Sequence, residues 1–211
     1  MTNAPLVQRW QAIKNALKSK VTLIAVSKYT SDANVATLIQ AGQQDFAEAR
    51  PQNLRDRATA FPQVNWHMIG PLQKNKAKYV GRFAHTWHSL CDIETAKAVA
   101  SHVKNRKLPV FVQVNISGES QKQGVSPDEL PLFLAQLDPI EAFDVVGLMG
   151  MAAKESDSRA AFSLLRKCRD EIIRQYPKSQ GLCMGMSNDW PVAIEEGATM
   201  IRVGSEIFGL E

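Results

Sequence analysis

The stretch TLIAVSK, residues 22–28, is a run of apolar and β-branched side chains that ends on one charged amine, Lys28. A lysine closing a strand either reaches water or turns its amine toward a pocket. In an apolar wall near another cation its pKa falls, and a neutral amine is the nucleophile that joins to an aldehyde. Two later stretches carry groups suited to an anion: MGMSND, residues 184–189, and RVGSEIFG, residues 202–209. Ser187 and Ser205 each offer a hydroxyl donor, Gly204 lets backbone approach an oxyanion closely, and Arg202 adds a permanent positive charge. Singly, each has a plainer reading: a solvated lysine, a Gly-Ser turn, an arginine in a surface ion pair. The chemistry depends on whether the fold brings residue 28 beside residues 187–205.

Short β-rich runs alternate with helical patterns along the whole chain. The strand candidates are residues 22–27, 45–48, 65–69, 86–90, 110–115, 144–148, 181–184 and 200–203; helical patterns occupy 32–41, 52–60, 73–80, 93–105, 127–136, 158–175 and 190–196. An additional N-terminal helix is expected from Leu6, Trp10, Ile13 and Leu17, spaced three and four apart. Such alternation predicts parallel strands with crossover helices, and eight strands predict a single α/β domain over residues 1–211, a (β/α)8 TIM-type barrel. A doubly wound open sheet is the alternative. Gly42 and Gly197 each follow a helical pattern and precede a strand, as a left-handed helix end requires. Residues 117–129 form the most loop-like stretch.

Barrel closure sets strand one beside strand eight, so Lys28 neighbours the loops after strands seven and eight, where this fold often builds phosphate sites. A phosphorylated aldehyde beside an amine points to pyridoxal 5′-phosphate. Other polar or aromatic residues fall at or near the same strand ends: Phe46 and Glu48, His67 with Asn75 and Lys76 beyond it, Cys91 and Asp92, Asn115 and Lys122.

The segments LIAVSK, WHMIGPLQKNK, VQVNIS with KQG, GLMGM, MGMSND, AIEEGATMIRVG and EIFG, in this order from about residue 23 to residue 209, resemble the pyridoxal phosphate homeostasis family, the YggS/PROSC-like proteins. That family is similar to the barrel domain of alanine racemase, a fold-type III pyridoxal phosphate architecture. The resemblance implies that Lys28 carries the cofactor as a Schiff base, that Ser187, Gly204 and Ser205 hold its phosphate, and that Arg202 faces the pyridine nitrogen. A cation there disfavours protonation of the ring and makes it a poorer electron sink. Phe46, His67 and Asn75 are placed near the cofactor. The chain departs from the family at Ala47-Glu48-Ala49-Arg50, where a Gly-Glu-Asn-Tyr type stretch is usual; Ala49 replaces an asparagine associated with the cofactor ring.

A racemase needs two acid–base groups, one on each face of the substrate carbon. Alanine racemase takes its second, a tyrosine, from a separate β domain and its dimer partner, and the reading expects no such domain here. Tyr79 and Tyr176 fall on helical patterns, and Tyr29 would point away from Lys28 if the strand continued. The expectation is a monomeric carrier that holds pyridoxal phosphate and releases it, possible recipients being apo enzymes that depend on it. Weak racemase-like activity on amino acids and a Schiff-base aldolase are the enzymatic alternatives.

Composition narrows the classes. Net charge is +4 with no block of like charges, and Lys74, Lys76, Lys78 and Arg82 are spaced as a solvated helix face, so no nucleic-acid partner is expected. No apolar run approaches the ~20 residues of a membrane span. Three cysteines without a CxxC and no signal-peptide pattern fit a reducing cytoplasm. His85, His88 and Cys91 lie three apart on a strand, so neighbours face opposite sides and no metal site is expected. Trp66 and Trp87 are expected to pack against the helix layer, and Cys91, Cys168 and Cys183 to be structural thiols.

Overall fold

The computed structural model describes residues 4–17, 20–119, 122–153 and 157–209. Its strands are β1 (Thr22–Val26), β2 (Asp45–Glu48), β3 (Asn65–Met68), β4 (Thr86–Leu90), β5 (Leu108–Gln113), β6 (Phe143–Met149), β7 (Gly181–Cys183) and β8 (Met200–Val203). Each pairs in parallel with the next, and β8 pairs with β1, closing a barrel. The helices are α1 (Ala4–Ala16), α2 (Asp32–Gln40), α3 (Pro51–Ala60), α4 (Ala77–Phe83), α5 (Ile93–Ala100), α6 (Leu130–Leu137), α7 (Ser158–Ile172), α8 (Trp190–Glu195) and α9 (Ser205–Phe208). The open-sheet alternative is therefore set aside.

Strand alternation sorts the core into two shells. Ile24, Ala47, Phe111, Met149 and Cys183 fill the barrel. Leu23, Phe46, Trp66, Trp87, Leu108 and Phe162 pack between the sheet and the helices. Both tryptophans thus take the outer position expected of them. Polar capping begins several helices where the sequence offers it: Ser31 accepts from the Asn34 N–H, Asp92 from Thr95, and Asp157 from Arg159 and Ala160. Gly42 and Gly197 adopt φ of 101° and 94°, the left-handed helix ends read from the sequence.

Several boundaries differ from the periodicity, and each has a local cause. The 73–80 pattern begins as a 3-10 turn at Lys74–Lys76 before α4. The 127–136 pattern starts at Leu130, because Ser126 and Glu129 exchange two hydrogen bonds that cap the helix from outside. The 93–105 pattern stops at Ala100, and Asn105 takes a left-handed φ of 58° on the way to β5. Of the 117–129 loop, Ser120 and Gln121 lie outside the described residues.

The N-terminal helix buries Leu6, Trp10 and Ile13 against the barrel. Trp10 Nε1 donates to Gln43 at 2.8 Å, and Gln43 Nε2 donates to the carbonyls of Leu23 and Asp45. Arg9 Nε donates to the Ile207 carbonyl at 2.8 Å, so the same helix steadies α9.

Candidate functional site

The first and last strands meet in register, with Arg202 opposite Ile24 and Val203 opposite Ala25. One residue further, Gly204 lies against Val26: a Cβ there would sit 3.2 Å from the Val26 carbonyl oxygen and 3.3 Å from its Cβ. The absent side chain thus serves the seam between β8 and β1 and keeps the two strand ends close. Beyond the seam, Ser205 Oγ donates to Ser187 Oγ at 3.1 Å, and the Glu206 N–H faces the same hydroxyl at 3.5 Å. The Glu206 carboxylate accepts from Trp190 Nε1 at 2.9 Å. Met186 N–H donates to Asp189 Oδ1, which shapes the loop carrying Ser187. Two hydroxyls and the amide at the start of α9 therefore converge, which is a donor set that fits a phosphate.

Lys28 belongs to this mouth, but not as a buried strand end. β1 stops at Val26, and the chain turns at once: the Thr30 N–H donates to the Ser27 carbonyl at 3.0 Å, leaving Lys28 and Tyr29 at the tip of the turn. Lys28 is exposed, and its ammonium lies over the Tyr29 ring, 5.0 Å from the centroid. The apolar wall expected around it is absent, because the turn lifts the side chain onto the barrel rim. Tyr29 likewise does not point away from Lys28 as on a continuing strand; it is 72% exposed and lies beside it.

Arg202 points inward instead of toward the serines. It is 4% exposed; Nη1 donates to the Cys183 carbonyl at 2.9 Å and lies 2.9 Å from its Sγ, while Nη2 donates to the Gly150 carbonyl at 3.3 Å. Among the described residues its hydrogen-bond partners are carbonyls and a thiol, none of them a carboxylate.

Phe46 and Asn75 are not brought to this mouth. Phe46 is 0% exposed in the outer shell, its ring 5.4 Å from that of Trp66, because Ala47 takes the inward position on β2. Asn75 is exposed on the 74–76 turn. His67 is buried inside the barrel in a chain of side chains. Its Nε2 lies 3.1 Å from Asp45 Oδ1 and its Nδ1 2.8 Å from His88 Nε2, and His88 stacks on Phe111 at 4.6 Å. Burial pushes the Asp45 carboxyl up, but hydrogen bonds from His67 and Asn65 outweigh it and hold it below its usual range. An ionised carboxylate only accepts, so His67 carries its hydrogen on Nε2. One hydrogen lies between His67 Nδ1 and His88 Nε2, so the remaining ring nitrogen of His88 is Nδ1. That atom is buried without a hydrogen-bond partner among the described residues. Burial, with the charges of His67 and Arg202, holds His88 well below its ordinary pKa and thus neutral.

Glu48 is the other buried polar group at the rim. Its Oε1 accepts from the Ser27 hydroxyl at 2.6 Å, and burial pushes its carboxyl up despite that bond and the Arg57 charge. Across the mouth, Asn115 donates to the carbonyls of Glu119 and Lys122, Lys122 pairs with Glu119 at 2.9 Å, and a cleft of about 350 Å³ opens beside them. Among the described residues no three His, Cys, Asp or Glu side chains converge as metal ligands. Cys168 and Cys183 are buried and Cys91 half-buried; all three thiols are free.

The Asp45–His67–His88 chain and the Glu48–Ser27 bond were not evident from sequence. A signal existed in the spacing, because Asp45, His67 and His88 share the inward phase of β2, β3 and β4.

Comparison with known proteins agrees with this geometry. The family model described as alanine racemase, N-terminal domain, matches residues 4–211. A Vibrio cholerae protein named pyridoxal phosphate homeostasis protein is 34% identical over 203 residues, covering 91% of this chain and 86% of its own. The structure of PipY from Synechococcus elongatus with pyridoxal phosphate bound superposes with a TM-score of 0.87 at 31% identity, over 97% of this chain and 100% of that one. Alanine racemase from Clostridium difficile superposes with a TM-score of 0.85 at 16% identity, covering 99% of this chain and 57% of that one. At that identity it shows a shared fold alone.

Proposed function

Since this chain belongs to the pyridoxal phosphate homeostasis protein family, we propose that it binds pyridoxal 5′-phosphate reversibly and serves cellular homeostasis of that cofactor as a carrier. The observation that supports this reading is the seam between β8 and β1: Val203 pairs with Ala25 and Gly204 lies against Val26, so the Lys28 turn and Ser205, bonded to Ser187, follow adjacent strand ends. When bound, the cofactor supplies an aldehyde that condenses with an amine to a Schiff base. Lys28 is the amine available at this mouth, and its exposure leaves it free to reach the ligand and to let it go. Ser187, Ser205 and the amide at the start of α9 hold the phosphate. Gly204 keeps the two strand ends close enough for both halves to act on one small molecule. Arg202 lies under the mouth as a cation, disfavouring a further positive charge above it. His67 supports this floor from below, while Phe46 and Asn75 are assigned no contact with the cofactor.

Carriage is favoured over catalysis because, among the described residues, no tyrosine stands across the mouth from Lys28 as a second acid–base group. Tyr29 lies alongside it, while Tyr79 is on α4 and Tyr176 follows α7. The protein works as a monomer, a reading supported by its exposed large apolar residues among those described, Leu132 on α6 and Leu164 on α7 included, falling on different elements. Its free thiols support a reducing cytoplasm as its location. Among the described residues no helix is long and apolar enough to cross a membrane. Apo enzymes that need the cofactor are its recipients.

The test is Lys28→Ala. The wild-type protein with added pyridoxal phosphate should show the visible band of a lysine-bound cofactor and, after borohydride, a modified peptide containing residue 28. The variant should show neither, and wild-type protein should racemise alanine no faster than free cofactor. An unchanged band in the variant would remove Lys28 as the attachment point, and robust racemisation would overturn the carrier assignment.

A further inference from the structure

We propose that Glu48 and Arg57 are positioning residues that clamp the turn carrying Lys28, a proposal that rests on Lys28 being the attachment point. The turn spans Ser27 to Thr30, and a different charged side chain grips each end. At the first end the Ser27 hydroxyl donates to Glu48 Oε1 at 2.6 Å. At the other, Arg57 Nη2 donates to the Thr30 carbonyl. The turn is closed by the Thr30 N–H bonding to the Ser27 carbonyl at 3.0 Å, and the Thr30 hydroxyl accepts from Asn34 at 2.9 Å. The backbone of Lys28 is therefore fixed on both sides while its side chain remains exposed.

Glu48 is 0% exposed, yet Oε2 has no hydrogen-bond partner among the described residues, and neither has Arg57 Nη1. The two groups sense each other's charge without a direct bond, with Asn53 and Asp32 the other polar neighbours of the carboxylate. Arg57 is itself braced by Asp32, whose Oδ1 lies 3.0 Å from Nε. A buried carboxylate is costly even with the Asn53 side chain within hydrogen-bonding reach, and an apolar side chain of similar size would fill the place at less cost. What Glu48 does in return is hold Ser27, the residue next to Lys28. A fixed backbone lowers the entropy lost when the lysine engages a ligand, which speeds capture.

The experiment compares Glu48→Ala, Glu48→Gln and Ser27→Ala. Ser27→Ala removes the same bond from the other side, and Glu48→Gln keeps an acceptor for Ser27, so it serves as the conservative rescue. Three readouts are taken: hydrogen exchange at the Thr30 amide without ligand, the rate at which the visible band forms with pyridoxal phosphate, and the affinity for pyridoxamine phosphate. That last compound has the same ring and phosphate but no aldehyde, so it reports the cradle without the lysine. Glu48→Ala and Ser27→Ala should each accelerate Thr30 exchange and slow band formation about tenfold or more, leaving pyridoxamine phosphate affinity within about twofold; Glu48→Gln should behave as wild type. Wild-type exchange and capture in both alanine variants would overturn the proposal. An equal loss of pyridoxamine phosphate binding would overturn it as well, because the effect would then be a general loosening. If Lys28→Ala kept its band, the attachment reading would fall by itself, and the exchange data would still decide whether the clamp exists.

Discussion

Replacing Phe46 by alanine separates two readings of this residue, one as a contact of the cofactor and one as part of the outer core. In the structure its ring is 0% exposed and 5.4 Å from Trp66. A fully buried phenylalanine withdraws about 150–250 Å² from water. At about 25 cal/mol/Å² that is roughly 4–6 kcal/mol, an upper bound because the unfolded chain already buries part of it. Truncation of buried phenylalanines costs about 3–5 kcal/mol, in keeping with that bound. For a chain of this size about 2–4 °C of Tm accompanies each kcal/mol, so Phe46→Ala should melt about 6–20 °C lower. Calorimetry reads the shift, and a pyridoxal phosphate titration well below the transition reads the site, whose affinity should stay within about twofold of wild type. Phe46→Leu keeps most of the volume, should cost about 1–2 kcal/mol, and carries the test if the alanine variant does not fold. A Tm within about 2 °C of wild type, together with a tenfold or greater loss of affinity, would refute the division of β2 into an inward Ala47 and an outward Phe46.

Ser187→Ala and Ser205→Ala should each weaken pyridoxal phosphate binding about 10- to 100-fold, the effect of one hydrogen bond to a charged group. Binding of pyridoxal, which lacks the phosphate, should not change in either variant; equal losses for both ligands would show that the serines do not read the phosphate. The buried His88 makes stability depend on pH. It stays neutral in the fold with its pKa well below 6.5, whereas in the unfolded chain it takes a proton as pH falls through 6.5, so stability declines below that pH. The slope is up to about 1.4 kcal/mol per pH unit for one proton. His88→Gln keeps a hydrogen-bonding group for His67 and should flatten the guanidinium-chloride stability profile between pH 6.5 and 5 by about that slope; parallel profiles would show that the histidine is not buried neutral.

The eight βα units were legible because each strand is an apolar run set off by helix caps, glycines and prolines, and barrel closure followed from the count. That Ser187 meets Ser205 and that Gly204 lies on the β8–β1 seam were legible for the same reason, because strand order brings those ends together. The phase of β2 was not. Asp45–Glu48 is only four residues long, and Phe46 and Ala47 are both apolar and both fully buried, so no polar–apolar contrast distinguishes the barrel interior from the helix side. The setting of Lys28 was hidden too. Its turn is held by Glu48 and Arg57, contacts distant in sequence that leave no trace in the local pattern around TLIAVSK. The polar chain inside the barrel was missed because each histidine was weighed along its own strand, whereas its partners lie on neighbouring strands.

The pairing of β8 with β1 joins Ala25 to Val203, so the strand that leads to Lys28 lies beside the strand that leads to Ser205, near opposite limits of the described chain. While the polypeptide is still emerging from the ribosome, it displays the lysine long before it has the serines. An intermediate in which β1 through β7 have formed has the amine and Ser187 but lacks Ser205 and the amide at the start of α9. On the proposed function, capture of the vitamin would therefore wait for the last strand to dock, and among newly made molecules the visible chromophore would mark those whose folding is complete.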